Sequence, residues 1–247
     1  MKLQLPQVTL IAVTSVKIYE TIRALSYSMQ GIDFGEVVLV THKKPFGLPK
    51  GITYKHTDRL TDIDRFNYLI AYELGSYVNT DYVILVHYDG FIVHPEMWRK
   101  EFLAYDYIGS PWPLPTAEHS TYYDENGNIC RVGNSVSLRS RRFLNYPKEA
   151  GFEWKPAADG FYNEDIFLCC MNKVKFEEAG MRFAPIEVAR LFGREHTIPE
   201  TEGVTPFLFH KWWGENRDFP KFENPLTKLW LTIKAIRRRL MFWRDWS

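Results

Sequence analysis

The sequence predicts an α/β protein built on a doubly wound, largely parallel sheet. Strand-type apolar runs alternate with helix-spaced segments up to residue 90, which argues against a bundle or a sandwich. One run, Tyr82-Val83-Ile84-Leu85-Val86, is rich enough in β-branched residues to be buried on both faces, and it leads straight into His87-Tyr88-Asp89-Gly90. Ligands gather where the strands of open α/β sheets end, so Asp89 stands where function is expected. An aspartate before a glycine is also a common turn, and both meanings are open at this stage.

Taken in order, Val8–Val13 reads as a strand, Tyr19–Met29 as a helix, Val37–Thr41 as a second strand and Ile52–Lys55 as a short third. The next helix is better marked. Thr61 followed by Asp64 resembles a capping box, and Ile63, Phe66, Ile70, Leu74 and Tyr77 recur at helical spacing. It delivers the chain to the strand that ends near Asp89. Beyond Phe91 the rhythm changes to shorter strands, a loop with Pro111, Pro113 and Pro115, and a hairpin signal at Asn126-Gly127. A helix is expected from near Glu164 through Lys175 and a strand over Arg182–Ala189, so the second half reads as α+β material added to the sheet edge.

With 247 residues, 45% of them apolar, the chain can bury one substantial core with a small tail attached. The expected division is a catalytic domain over 1–224 and a separate segment over 225–247. A formal charge of +1 gives no overall field for nucleic acid, so no nucleic-acid partner is expected. Cys130, Cys169 and Cys170 form no CxxC metal pair, and a reduced compartment fits them. Met1–Val13 is too short and too polar for a signal or anchor, which makes the cytoplasm the expected location.

Four polar clusters stand next to predicted element ends: Thr14-Ser15, Asp89, Glu164-Asp165 and His210. A divalent cation needs a carboxylate, and an imidazole can complete its shell. Glu164 and Asp165, at a helix start, could take a proton from an attacking hydroxyl or could merely cap the helix. His210 could equally be a core histidine. Arg65 and Tyr68 could face the same pocket as Thr14 and Ser15, with a solvated helix charge as the alternative for Arg65. Trp112, Trp154, Trp212 and Trp213 could stack on sugar rings or pack in the core.

The succession His87-Tyr88-Asp89-Gly90-Phe91, Asp106-Tyr107-Ile108-Gly109-Ser110-Pro111-Trp112, Val132-Gly133-Asn134 with Ser137-Leu138-Arg139-Ser140, Asn163-Glu164-Asp165 and Phe209-His210-Lys211-Trp212 resembles a family of glycosyltransferases of the GT-A fold. That resemblance implies a GT-A-like, Rossmann-like mixed sheet flanked by helices, with acceptor-side additions. It implies a nucleoside-diphosphate sugar donor, of UDP or GDP type, and transfer to a hydroxyl of a glycan or lipid-linked glycan in cell-surface polysaccharide synthesis. Asp89 corresponds to the last acid of the DxD motif and would bind a divalent cation together with His210. His87 stands where the first acid would be, which favours Mn²⁺ over Mg²⁺. Thr14, Ser15, Arg65, Tyr68, His87, Tyr88, Asn134 and Ser135 would lie on the nucleotide and donor side, Trp112 and Trp212 on the acceptor side. Asp165, or Glu164 beside it, would be the general base of an inverting displacement. Gly133-Asn134-Ser135 replaces the usual glycine pair beside the donor sugar, so backbone and sugar would approach less closely.

The segment from Pro225 to Trp246 carries Lys228, Lys234, Arg237, Arg238, Arg239 and Arg244 among leucines and tryptophans, opposed only by Asp245. Basic residues beside tryptophans at helical spacing describe a C-terminal amphipathic helix lying on an anionic membrane, or else an ordinary packed helix. The former would hold the protein peripherally at the inner face of the membrane. A rival reading is a non-catalytic nucleotide- or sugar-binding module of the same fold.

Overall fold

The computed structural model describes residues 2–115 and 122–224. Six strands form the main sheet: β1 Leu3–Val13, β2 Ile32–Thr41, β3 Thr53–His56, β4 Tyr82–Leu85, β5 Tyr107–Pro111 and β6 Val132–Ser140. Their order is β3-β2-β1-β4-β6-β5. The first four run parallel to one another, and β6 is antiparallel to both β4 and β5. This mixed, mostly parallel sheet flanked by helices is a Rossmann-like arrangement.

Buried strands need covers on both faces, and the sequence supplies them at helical spacing. Helix α1, Ile18–Ser28, turns Thr21, Ala24, Leu25 and Ser28 inward. Helix α2, Ile63–Tyr68, continues as a π turn over Leu69–Glu73 and a 3₁₀ turn over Leu74–Tyr77. Leu69, Ile70 and Leu74 pack there with Ile11, Val38, Val40 and Val83 from the sheet. The cap of α2 is one residue later than Thr61: Asp62 is the N-cap, and its carboxylate accepts the Arg65 N–H at 2.8 Å. Thr61 instead donates to Asp62.

The second half adds α3, Arg141–Glu149, capped by Ser140, and a helical run of α4 Glu164–Ile166, a π turn Phe167–Met171 and α5 Lys173–Glu178. The Asn126-Gly127 turn closes a small hairpin, with Tyr123 bridging Ile129 and Gly127 at φ 80°. The strand expected over Arg182–Ala189 is a correction. Phe183 makes a lone bridge to Tyr107, after which Pro185 caps helix α6, Ile186–Phe192. Ala189 and Phe192, three residues apart, are the buried ones, a helical rather than alternating pattern. A two-stranded parallel pair, β7 Gly193–Arg194 and β8 Leu208–Phe209, then carries the chain back beside the end of β4. The amphipathic helix expected over 225–247, and with it the domain division, lies outside the described residues.

Candidate active site and metal centre

Strand β4 ends in a tight reversal, because the His87 N–H donates to the Gly90 carbonyl at 2.7 Å and the Gly90 N–H returns to His87 at 3.3 Å. Tyr88 and Asp89 form its tip. Gly90 is needed here, since a Cβ would lie 2.7 Å from Val136 Cγ2 and 2.8 Å from His210 Cδ2. The turn is docked by the segment after β8: the Phe209 N–H donates to the Phe91 carbonyl and the Lys211 N–H to the Asp89 carbonyl. His210, about 120 residues further along the chain than His87 and Asp89, is thereby brought to them.

One ligand atom each from His87, Asp89 and His210 lies within 4.8 Å of the others, so these three residues could hold a metal ion. Three observations test whether they fit one. His210 Nε2 is buried, has no hydrogen-bond partner among the described residues and lies 3.9 Å from Asp89 Oδ1. Burial and the neighbouring His210 push the His87 pKa down to about 3, so its ring is neutral and its lone pair available. Burial raises Asp89, but His210, the Lys211 ammonium and His87 outweigh it and hold its carboxylate below the ordinary range. The set therefore fits a divalent ion that accepts nitrogen as well as oxygen.

A second carboxylate stands behind His210. Glu195 Oε1 lies 3.0 Å from His210 Nδ1, short but off the ring nitrogen's donor direction, and Glu195 Oε2 accepts Asn134 Nδ2 at 2.8 Å. Burial pushes the Glu195 acid upward, yet His210, His196 and Lys211 outweigh it and leave the carboxylate below its usual range. Glu195 thus stands beside the far ring nitrogen of His210, the place that outer-sphere carboxylates take behind metal-bound histidines. Asn134 sits at φ 152°, a region favouring glycine, and its side chain supports this by also accepting the Val136 N–H at 2.8 Å.

These groups open on a cavity of about 520 Å³ at the carboxyl ends of β1 and β4. Its wall includes Thr14, Ser15, Asn67, His87, Tyr88, Asp89, Ser135, Glu164, Asp165, His210 and Lys211. Thr14 and Ser15 are occupied in shaping it: the Thr14 hydroxyl donates to the Val16 carbonyl, and Ser15 Oγ accepts the Leu60 N–H at 2.9 Å. Ser135 Oγ is 3.4 Å from His87 Nε2.

The two adjacent acids on the opposite wall differ. Glu164 pairs with fully buried Arg139 at 3.1 Å, and Arg139 is held further by Ser137 Oγ at 2.9 Å. Asp165 has no cationic partner among the described residues; its Oδ1 accepts the Ile166 N–H at 2.9 Å. Burial, then the charges on Glu164 and Glu195, raise its carboxyl well above the ordinary range.

Five expected site residues stand away from the cavity wall. Arg65 is clamped by Glu73 through two bonds of 2.9 Å, a pairing that the i, i+8 spacing hides. Tyr68 stacks on Tyr72 at 4.9 Å. Trp112 is 2% exposed and stacks on Tyr122 at 4.7 Å, filling the space left by Gly133, where a Cβ would meet its ring at 2.0 Å. Trp212 donates its Nε1–H to the Pro220 carbonyl at 3.2 Å and faces Tyr88 rather than the cavity. Asn134 is likewise behind the wall, as a support. The sequence gives no sign of Glu195 beyond the Arg194-Glu195-His196 triplet after a short apolar helix, and it shows Lys211 and Arg139 inside recognisable motifs without a role for either.

A sheet of this order with an acid- and imidazole-bearing cavity at its carboxyl edge defines a class, the Rossmann-like folds that bind ligands outside their parallel strands. Within it, the chain belongs to the family described as "Protein of unknown function (DUF5672)", whose profile matches residues 54–210. That span includes His87, Asp89, Glu164, Asp165, Glu195 and His210. No curated protein matches the chain. A similar solved structure is the mannosyltransferase PcManGT from Pyrobaculum calidifontis in complex with GDP-Man and Mn²⁺, 14% identical with a TM-score of 0.41. The match covers 74% of this chain and 55% of that one, so the chain spans about half the length of that protein.

Proposed function

We propose that this protein is a metal-assisted glycosyltransferase that moves a sugar from a nucleoside diphosphate, of UDP or GDP type, to a hydroxyl of a glycan. The supporting observation is that one cavity joins the His87, Asp89 and His210 cluster to Asp165, an acid with raised proton affinity and no cationic partner among the described residues. His87, Asp89 and His210 would hold the cation, which when bound stabilises the charge that develops on the departing diphosphate.

In this reading Asp165, once ionised, is a stronger base than a solvent-facing carboxylate because burial has raised its pKa. It takes the acceptor hydroxyl's proton as that oxygen bonds to the anomeric carbon from the face opposite the leaving group. The proton ends on Asp165, the bond to the diphosphate oxygen breaks, and the configuration inverts. Glu164 is committed to Arg139 and serves as a support for Asp165's turn rather than as the base. Thr14 and Ser15 shape the loop that meets the nucleoside, while Tyr88 and Ser135 border the donor.

The acceptor we infer is a glycan, on a lipid carrier if residues 225–247 hold the protein at an anionic membrane inside the cell. No helix among the described residues is long and apolar enough to cross a membrane. Deleting 225–247 should abolish co-sedimentation with anionic liposomes; equal sedimentation of both proteins would count against membrane attachment.

The deciding experiment for the activity is a thermal-shift screen of nucleotide sugars with Mn²⁺ and with chelator. A true donor raises Tm with Mn²⁺ by mass action, and the shift is lost in Asp89→Asn. Slow release of nucleoside diphosphate, lost in Asp165→Asn while donor binding survives, separates an enzyme from a binding module. If no nucleotide sugar moves Tm, the proposal fails.

A further inference from the structure

We infer that Lys211 is the resident counter-cation of Asp89: a divalent ion must displace its ammonium, and the displaced ammonium then holds the donor's diphosphate. The second half rests on the nucleotide-sugar reading; the first does not.

Lys211 Nζ donates to Asp89 Oδ2 at 2.6 Å, a short, charge-assisted bond. The Asp89 side chain is 5% exposed and that of Lys211 34%, so the ammonium sits between a buried carboxylate and the open cavity. The backbone is built to put it there. Lys211 has φ 61°, a left-handed conformation that is strained for a residue with a Cβ and persists only where neighbours enforce it. Its N–H is tied to the Asp89 carbonyl at 2.8 Å, and its carbonyl accepts Asn216 Nδ2 at 3.1 Å. Asn216 is fully buried and also holds the carbonyls of Arg194 and His210. A glycine would take this conformation without strain, so the backbone alone gives no reason for a lysine.

Asp89 is the one acid in the His87, Asp89 and His210 set. Its carboxylate cannot give full charge to a dication while neutralised by an ammonium at 2.6 Å, and the two cations would repel across a partly desolvated site. Ion and ammonium therefore compete. Lysine's flexible stem lets the ammonium swing into the cavity without moving its backbone, and the oxygens of a diphosphate are the acceptors that would meet it there.

The test uses the full chain. Mn²⁺ is titrated without nucleotide into wild type, Lys211→Gln and Lys211→Arg, with free Mn²⁺ read by electron paramagnetic resonance. Removing the competing charge should tighten Mn²⁺ about tenfold in Lys211→Gln, whereas Lys211→Arg should stay within about twofold of wild type. Equal or weaker Mn²⁺ binding by Lys211→Gln overturns the inference. GDP and UDP are then titrated at Mn²⁺ saturating for each variant, where the ammonium has left Asp89 and Lys211→Gln should bind the productive nucleotide about tenfold more weakly; unchanged affinity overturns the diphosphate half. If wild type binds neither nucleotide, it is the nucleotide-sugar reading that fails, and the Mn²⁺ titration still decides the counter-cation. Should Lys211→Gln not fold, wild type labelled with ¹⁵N-lysine decides: the Lys211 ammonium signal should be protected from exchange and lose protection on saturation with Zn²⁺. Protection that survives saturation overturns the displacement.

Discussion

At the scale of single residues, the centre depends on side chains that never reach the cavity. Glu195 faces the far nitrogen of His210, and losing such an outer-sphere carboxylate typically weakens metal binding about 10–100-fold. Glu195→Gln should show a loss of that size in a Mn²⁺ titration while its unfolding midpoint stays near wild type; unaltered affinity would remove Glu195 from the centre. Gly90 makes a stricter test of packing. A methyl there would press on Val136 and His210 at 2.7 and 2.8 Å, and overpacking of this kind costs about 1–3 kcal/mol. Gly90→Ala should therefore lower stability in urea and weaken Mn²⁺ binding together. Of this neighbourhood, Asp89 and His210 were legible in the sequence because each stands at an element end. Glu195 and Lys211 were not, because ring-to-carboxylate and ammonium-to-carboxylate contacts between distant segments leave no periodic trace.

At the scale of elements, β6 and α4 are joined by a buried ion pair. Arg139 is fully buried, yet one of its Nη atoms has no hydrogen-bond partner among the described residues, so the site is already under-compensated. Breaking a buried pair by removing one partner typically costs about 3–5 kcal/mol, whereas replacing both with apolar groups is often neutral or better. Arg139→Met should thus destabilise strongly, and Arg139→Met with Glu164→Met should recover most of the loss in chemical denaturation. A double variant as unstable as the single would mean the pair itself contributes net stability. Elements whose apolar period was strong, such as β1, β4 and α2, were readable from sequence. The strand expected over 182–189 gives way to helix from Ile186 because its apolar residues fit either period, and Pro185, which caps α6, is the signal that favours the helix. Arg65 and Trp112 are of residue types that bind ligands, and the structure gives both of them partners inside the fold, away from the cavity wall.

At the scale of the whole molecule, the outer edge of the sheet is closed by Asp106, which links segments far apart in sequence. Its Oδ1 accepts the Ser140 hydroxyl at 2.6 Å and Arg142 Nε at 2.6 Å, and its Oδ2 accepts the Arg182 N–H at 2.9 Å. Burial raises this carboxyl, but Arg142, Ser140 and the Arg182 N–H together outweigh it and set its pKa below 3.8. A depressed folded-state pKa means that the folded form holds the proton less tightly than the unfolded chain. Its contribution is therefore complete above the unfolded value of 3.8 and is lost as pH falls through the lower folded value. Asp106→Asn cannot ionise and keeps at most part of the network, so it should be less stable than wild type at pH 7 by about 2–3 kcal/mol, the scale of a hydrogen bond to a charged group. The gap should be constant down to about pH 5 and then narrow steadily toward pH 3, because acid removes from wild type what the substitution has already removed. Urea unfolding of both proteins across that range checks the sign as well as the size. A gap that widens in acid would mean that Asp106 is held ionised by the fold less well than the unfolded chain holds it, contrary to the three donors that converge on its carboxylate.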